Sequence, residues 1–274
     1  MHWDKTRLEF DSFAAEYDWR YLSGIQPLAT ALWAACRAAI ERCAPATILD
    51  CACGPGWQAI ELARQGYRVH GTDISAEMIE LARRHAAEAD VAVTFSVATW
   101  EELPAQLDGR FDFTMCYGNA IGHCRDRQGM LASLRALRDV TADGGHVFVD
   151  TRSWEWFRAH TQRVFPMGAR DDERGHHLLL GVATVPQRWS AAHVIETVHV
   201  IERDGQISTA AYPATFYAFR ARQLLECLAE AGFDDVQTDY TEGKPYYNVT
   251  ARACMAEGSV PRGRRQRPSV GWPG

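Results

Sequence analysis

The chain has 274 residues, of which 47% are hydrophobic, 23% charged and 11% aromatic. A chain of this size and composition buries a core without disulfides or metals, which excludes disordered, fibrous and collagen-like classes. The formal net charge of −6 argues against a nucleic-acid partner, because phosphate backbones are bound by clustered lysine and arginine. With no signal-like start and no run of about 18 apolar residues, we expect a cytoplasmic protein with no membrane partner. Whether it forms a homo-oligomer stays open.

The chain contains eight cysteines but no export signal, so we expect reduced thiols. Cys51 and Cys53 are one residue apart, which is not a usual zinc spacing, and no second pair follows at such a spacing. His176 and His177 are adjacent but lie in no ligand pattern. The sequence therefore predicts no metal.

Helices and strands alternate from residue 26 to residue 151. The predicted elements are helix 26–43, strand 47–52, helix 57–65, strand 67–73, a helix from Ser75 to about residue 89, strand 91–97, strand 111–117, helix 128–140 and strand 146–151. Strands that alternate with helices at this spacing form a parallel sheet with right-handed crossovers.

The pattern changes after Thr151. Two strand-like runs, 177–185 and 193–201, with a turn at Asp204-Gly205, indicate an antiparallel unit. Helix 221–231 and strands 236–240 and 246–253 complete the order. We predict an α/β fold with a Rossmann-like open, mostly parallel seven-stranded sheet, helices on both faces and an antiparallel insertion over the active site.

Four units follow from this order. They are an N-terminal helical lid (1–44), a core (45–152 and 216–254), an antiparallel substrate-binding insertion (153–215) and a disordered tail (255–274).

A glycine loop follows the first strand, at the sheet edge where ligands of such folds bind. Its spacing, Gly54-x-Gly56-x-x-Ala59 with Asp73 nineteen residues after Gly54, is typical of a nucleotide site. A plain strand–turn–helix corner would show the same spacing. Because Ser75 is better placed to cap the next helix, we assign Asp73 to the ribose hydroxyls.

Asp50 ends the first strand, directly before that loop. A diphosphate bound there would meet a like charge, whereas a cation would be attracted. S-adenosylmethionine has a sulfonium and an ammonium and no phosphate. Asp50 therefore favours this cofactor, with S-adenosylhomocysteine as product, over NAD(P). An NAD(P)-dependent oxidoreductase stays the distant alternative.

Two segments resemble the motifs of class I S-adenosylmethionine-dependent methyltransferases. Residues 48–56 are similar to the first motif and residues 71–75 to the second. The motifs and the strand ends beside them imply this set of cofactor contacts: Asp50, Ala52, Gly54, Gly56, Asp73, Ile74, Met78, Thr99, Trp100 and Tyr117. Tyr21, in the aromatic N-terminal segment 13–21, is added because a tyrosine ring there could close over the sulfonium.

Three further segments, 98–100, 116–123 and 150–154, are similar to glycine and sarcosine N-methyltransferases. In those enzymes an asparagine helps to hold the amino-acid substrate and an arginine grips its carboxylate. The resemblance implies these roles for Asn119 and Arg152. Thr99 departs from the asparagine of that family, which leaves the adenine amino contact open.

Arg152 follows an apolar strand and should emerge beside the cofactor. Its guanidinium suits a carboxylate or phosphate, since two parallel hydrogen bonds can form. The alternative is an internal ion pair with Asp150 or Glu155.

Four other residues complete the predicted acceptor side. His123 is a candidate base or a buried interior residue, and Asn119 either orients the nucleophile or forms a turn. Tyr17 lies in an unusually aromatic N-terminal segment, and Tyr217 in a second aromatic group. We assign both tyrosines to the acceptor, with packing as the alternative.

These residues predict direct displacement of the sulfonium by a small-molecule acceptor. The leading hypothesis is N-methylation of an amino acid or related carboxylate. O- or C-methylation of a natural product, with His123 or an acid among 171–173 as base, is the alternative. A subunit that binds the cofactor without turnover is the non-enzymatic one.

Overall fold

The structure, a computed structural model, describes residues 2–22 and 27–255. Its helices are α1 (His2–Leu22), α2 (Pro27–Cys43), α3 (Trp57–Arg64), α4 (Ala76–Glu88), α5 (Leu103–Gln106), α6 (Arg127–Val140), α7 (Trp154–His160) and α8 (Ala221–Glu230). Its strands are β1 (Thr47–Asp50), β2 (Arg68–Asp73), β3 (Thr94–Val97), β4 (Phe111–Cys116), β5 (Thr141–Arg152), β6 (Val164–Asp172), β7 (Gly175–Thr184), β8 (His193–Arg203), β9 (Gln206–Phe216), β10 (Phe233–Thr238) and β11 (Tyr246–Ala253). The tail predicted to be disordered lies outside the described residues except for residue 255.

The central sheet has seven strands in the order β10-β11-β5-β4-β1-β2-β3. The five strands from β5 to β3 run parallel, and β11 pairs antiparallel with both β5 and β10. The predicted fold class is therefore confirmed. Parallel strands place their carboxyl ends at one edge, so the loops after β1, β2, β4 and β5 meet there.

Both faces of this sheet are covered. Neighbouring residues of a strand point to opposite faces, and here both sets of side chains are buried. On β1, Ile48 belongs to one buried cluster and Leu49 to another. Val147 and Phe148 divide in the same way on β5. This double burial explains why the central strands are short apolar runs without polar alternation.

The insertion is a second sheet of four antiparallel strands in the order β6-β7-β8-β9. The sequence predicted only its two middle strands. Strand β6 contains Pro166 and Gly168, and β9 is rich in small polar residues, so neither shows the branched apolar pattern of a strand. Asp204-Gly205 is a turn, as expected, but it joins β8 to β9.

Helix α1 is bound to both the core and the insertion through carboxylates spaced along its length. Asp11 accepts a hydrogen bond from the Ser75 hydroxyl at the start of α4. Glu9 accepts bonds from the amide and hydroxyl of Thr215 on β9, at 3.2 and 2.7 Å. Glu16 Oε2 lies 2.8 Å from Nδ1 of the buried His199 on β8. The helix is thereby held against the core and the insertion at once.

None of the described helices is long and apolar enough to cross a membrane.

Gly56→Ala should destabilise the fold by about 2 kcal/mol. Gly56 has φ +85°, and an added Cβ would lie 2.8 Å from the Ala82 Cβ and 3.0 Å from the Phe95 ring. Gly66 has nearly the same backbone angle but no neighbouring atom within 4 Å, so Gly66→Ala isolates the backbone term of about 1 kcal/mol. Overpacking adds about 1 kcal/mol or more. Chemical denaturation of both variants measures the difference, and equal losses would contradict it.

Candidate functional site

A cavity of about 510 Å³ lies at the carboxyl edge of the central sheet, beneath α1 and the insertion. Most of the predicted site residues share its walls. They are Tyr17, Ala52, Gly54, Asp73, Ile74, Met78, Thr99, Trp100, Tyr117, Asn119, His123 and Arg152.

The structure does not bring three other predicted residues to the cavity wall. Asp50 is buried beneath the glycine loop, and Gly56 is the N-cap of α3, packed against α4. Tyr217 is bound through its backbone to Gly122, 2.7 Å away, and its ring faces Phe219. Contacts within the protein, rather than exposure to the cavity, therefore position Asp50, Gly56 and Tyr217. The fourth, Tyr21, has a side chain outside the described residues.

The glycine loop is tied to Asp73 at the end of β2. Asp73 Oδ2 accepts a hydrogen bond from the Gly54 amide, and Oδ1 accepts one from the Ser75 amide, both at 2.9 Å. The Ser75 hydroxyl accepts from the Met78 amide and so caps α4, as predicted. Asp73 also lines the cavity, so its carboxylate can accept a further hydrogen bond from a hydroxyl donor there.

Trp100 forms a wall beside the loop after β3. Its Nε1–H donates to the Cys51 carbonyl at 2.6 Å, and its ring meets the edge of Trp3 on α1 at a centroid distance of 5.4 Å. Thr99 next to it begins a 3-10 helix and is held by Glu102, which accepts from its amide and hydroxyl at 2.8 Å. A rigid flat wall is what a stacked base requires.

Three carboxyl groups are buried around the loop without a cationic partner among the residues described. Burial raises the pKa of Asp50 to about 8, of Asp150 to about 7 and of Asp73 to about 6. Oδ1 of Asp50 has no hydrogen-bond partner in the described part of the chain. Asp50 is thus largely protonated at neutral pH, so Asp73, which faces the cavity, contributes more of the local negative charge than Asp50. The three groups together favour a positively charged ligand.

Stability in the absence of ligand should fall between pH 6.5 and 8. A carboxyl with a folded pKa above its unfolded value binds more protons when folded, so raising the pH through that window destabilises the protein. Burial lowers the pKa of His123 and of His193 to about 4. These two groups make stability rise with pH, but only below about pH 6.5, the pKa of an unfolded histidine. Between pH 6.5 and 8 the titration of Asp50 should lower the free energy of unfolding by on the order of 1–2 kcal/mol, and the Asp50→Asn variant should not show this decrease. Thermal unfolding of both proteins at pH 6.5 and 8 measures it, and parallel profiles would contradict the assignment.

Asn119 lies in the left-handed region, with φ +63°, at the start of the 3-10 helix Ala120–His123. Its Oδ1 accepts hydrogen bonds from the Arg152 amide at 2.8 Å and the Thr151 hydroxyl at 3.0 Å. Asp150 Oδ2 accepts from the Asn119 amide at 3.2 Å. Asn119 is therefore a turn residue, and its hydrogen bonds hold the loop after β4 against the end of β5. Of its side chain, the Nδ2 donor remains for a ligand.

Arg152 makes neither of the ion pairs considered from the sequence. Asp150 is bound to the amides of Gly118 and Asn119, and Glu155 accepts from the Ala221 amide. Nε and Nη1 of Arg152 are buried without a hydrogen-bond partner among the residues that the structure describes, and Nη2 lies 3.4 Å from the Tyr246 hydroxyl.

Four aromatic rings surround this guanidinium, with centroids 4.4 to 5.9 Å from its carbon. They belong to Phe157, Trp154, Tyr246 and Phe216. Ring faces stabilise the cation partly. The Nε and Nη1 donors still lack the hydrogen bonds that they would make in water, and an anion in the cavity would accept them.

His123 is held as a neutral imidazole. Its Nδ1–H donates to the Thr215 carbonyl at 2.8 Å, and burial, with Arg152 nearby, lowers the pKa of the ring to about 4. The ring lies between Phe10 and Phe216, with centroids 5.1 and 4.4 Å away. Because Nδ1 carries the hydrogen, Nε2 presents a lone pair.

Helix α1 and the insertion build one side of the cavity, and of the residues on that side only Tyr17 was among the predicted site residues. The apolar members of that side are Phe10, Phe13, Phe165, Met167, Ile195, Ala214 and Phe216. The clustering of aromatic residues near residues 13–21 and 212–219 was the available signal. The acids at 171–173 do not line the cavity: Asp171 and Asp172 bond His176 and His177, so they are not bases for the reaction.

Part of the predicted core, 45–152, is similar to known proteins. Residues 48–145 match a family described as a methyltransferase domain. A ubiquinone biosynthesis O-methyltransferase from Cronobacter sakazakii is 31% identical over 135 residues, which is 46% of this chain and 54% of that protein. The chain thus spans about half the length of the curated relatives that it matches.

Solved structures resemble a larger part of the chain. The sugar N-methyltransferase KedS8 from Streptoalloteichus superposes with a TM-score of 0.71 at 19% identity, over 87% of this chain and 93% of that one. An amino pentose methyltransferase from Micromonospora echinaspora gives 0.68 at 18%, over 85% and 95%. At these identities the likeness shows the shared fold.

These matches show that residues 48–145 are similar to a methyltransferase domain and that the chain shares the fold of the two solved methyltransferases. The narrower resemblance to glycine and sarcosine N-methyltransferases is not confirmed and stays a prediction.

Proposed function

We propose that this protein transfers a methyl group from S-adenosylmethionine to the nitrogen of a small molecule that bears a carboxylate. The observation that carries the proposal is the buried guanidinium of Arg152, which lines the same cavity as Asp73 and has two unused donors. An acidic end and a basic end in one cavity suit a cationic donor and an anionic acceptor.

The glycine-loop end would hold the cofactor. Asp73 would accept the ribose hydroxyls, and Trp100 would bound the adenine, beside Ile74 and Met78. The bound cofactor supplies an electrophilic methyl group on a sulfonium. Desolvated carboxyl groups around the loop fit that charge, because a cation offsets the cost of their burial.

The other end would orient the acceptor. Arg152 would bind its carboxylate in the bidentate manner, and the Asn119 Nδ2 would donate a further hydrogen bond. His123 Nε2 would accept from the acceptor's N–H and so aim the nitrogen lone pair at the methyl group. A pKa of about 4 makes His123 an orienting group and a poor proton carrier at neutral pH, so the amine would enter already deprotonated.

An acceptor screen tests the proposal. The purified protein is incubated with radiolabelled methyl donor and matched pairs of amines with and without a carboxylate, for example an amino acid and its decarboxylated amine. We expect label only in the carboxylate member of each pair. Equal labelling of both members, or labelling of phenols alone, would contradict it.

O-methylation is the second candidate, because the curated relatives are O-methyltransferases of ubiquinone biosynthesis. The phenols in the screen test it. Detection of bound cofactor without any labelled product would instead favour a cofactor-binding subunit, and protection by NAD(P) alone would favour an oxidoreductase.

The organisation predicted from the sequence accompanies this proposal. Residues 1–44 would act as a lid, 45–152 with 216–254 as the cofactor-binding core, and 153–215 as the acceptor-binding insertion. Cytoplasmic location and the oligomeric state are open to fractionation and light scattering.

A further inference from the structure

The acceptor end of the cavity has an apolar wall that the chemistry of methyl transfer does not require. Phe165 and Met167 on β6 and Ile195 on β8 line it, opposite Phe10 and Phe13 on α1. Ile195 is 7% exposed and Phe13 8%. Such a wall favours an acceptor that buries apolar surface against it.

The Phe165 ring is positioned by a glycine on the neighbouring strand. Phe165 pairs directly with Gly181 in the β6–β7 register. A Cβ on Gly181 would lie 2.2 Å from the Phe165 Cζ and 2.3 Å from its Cε2. The ring therefore lies flat over the Gly181 backbone, and any side chain there would drive it from its place in the wall.

Met167 is fixed on the same wall by a polar contact. The Thr197 hydroxyl on β8 lies 3.9 Å from the Met167 sulfur. Arg20 Nη1 on α1 lies 3.5 Å from the same hydroxyl. The insertion and α1 therefore build the wall together, and both lie outside the cofactor motifs in the sequence.

We propose that the acceptor is an amino acid or related amine with a large apolar side chain, bound with its carboxylate on Arg152 and its side chain against Phe165, Met167 and Ile195. This inference rests on the proposed function for the amine and the carboxylate. It adds that Phe165, positioned by Gly181, selects for the size of the side chain.

Turnover gives the first test. With saturating S-adenosylmethionine, kcat/KM for phenylalanine or leucine should exceed that for glycine by at least about thirtyfold, since each buried methylene contributes several-fold. Comparable values for glycine and phenylalanine would overturn the inference.

Binding gives a test that does not need turnover. In the presence of S-adenosylhomocysteine, 3-phenylpropanoate should bind at least about tenfold more tightly than propanoate by calorimetry. Equal affinities would overturn the inference. Tight binding of 3-phenylpropanoate with no methylation of any carboxylate amine would instead overturn the proposed function and leave the apolar pocket standing.

Gly181→Ala tests the positioning of Phe165. We expect the affinity for 3-phenylpropanoate to fall at least about tenfold while the affinity for S-adenosylhomocysteine is unchanged. Gly205→Ala, at a turn of the same sheet with no atom within 4 Å of the added Cβ, is the matched control and should change neither.

The double variant Gly181→Ala/Phe165→Ala removes the clash and guards against misfolding. It should regain the thermal stability of Phe165→Ala and bind 3-phenylpropanoate as weakly as that single variant. Unchanged phenylpropanoate binding in Gly181→Ala and in Phe165→Ala would overturn the role of Phe165.

Discussion

Asp73→Asn should raise the dissociation constant for S-adenosylmethionine roughly a hundredfold. The carboxylate faces the cavity and already orders the Gly54 and Ser75 amides. Two ribose hydroxyls bonded to a charged, buried acceptor contribute about 3 kcal/mol together. Asparagine removes the charge and replaces one acceptor oxygen with a donor, so it loses the ribose contacts and part of the loop order. Calorimetry on the purified variant measures the affinity.

Asp112→Asn is the matched control for this prediction. Asp112 Oδ2 also accepts backbone amides, from Ala46 and Thr47 at 2.9 and 3.0 Å, but it lies at the opposite end of the sheet from the cavity. Its loss should lower stability and leave cofactor affinity unchanged. Equal weakening of binding in both variants would remove Asp73 from the cofactor site.

Arg152→Met should raise the KM for the acceptor at least about a hundredfold and change the dissociation constant for S-adenosylmethionine less than about threefold. Removing one partner of a buried, hydrogen-bonded charge pair costs roughly 3 kcal/mol or more. Methionine keeps the apolar contact with Phe157 and Trp154 and removes the donors. Arg152→Lys should recover part of the affinity, because it restores charge without the planar fork.

Arg158→Met is the control for charge loss nearby. Arg158 stacks on Trp189 at 4.6 Å and bonds the Gln187 carbonyl, and it does not line the cavity. Steady-state kinetics should show little change in acceptor KM for this variant. A similar rise in both variants, or an equal loss of cofactor affinity in Arg152→Met, would contradict an acceptor-binding role for Arg152.

The cofactor end was predictable because its residues follow one another closely along the chain. Gly54 and Trp100 follow strands and Asp73 ends one, and parallel strands bring such positions to one edge. Asp50 shows where this reasoning stops. Its position in the chain is correct, but its burial and raised pKa depend on packing from several elements, so its charge state could not be read from the sequence.

The acceptor end was not predictable in the same way. Phe165 and Ile195 are far from the motifs in sequence, and only the folding of the insertion over the sheet places them at the cavity. Strand β6 is interrupted by Pro166, which hid the element that carries Phe165. Arg152 was predicted as a site residue, but the lack of an acidic partner for it within residues 2–22 and 27–255 depends on the folded surroundings.

Helix α1 binds the core through Asp11, which bonds Ser75 at the start of α4, and the insertion through Glu9 and Glu16. The stretch that matches the methyltransferase domain, residues 48–145, includes none of these three carboxylates. A shortened protein cut down to that stretch would keep the glycine loop but lose both α1 and the insertion, the two parts that cover the cavity. Minimal versions for engineering must therefore keep the first helix, and swapping acceptor preference means exchanging it together with the insertion.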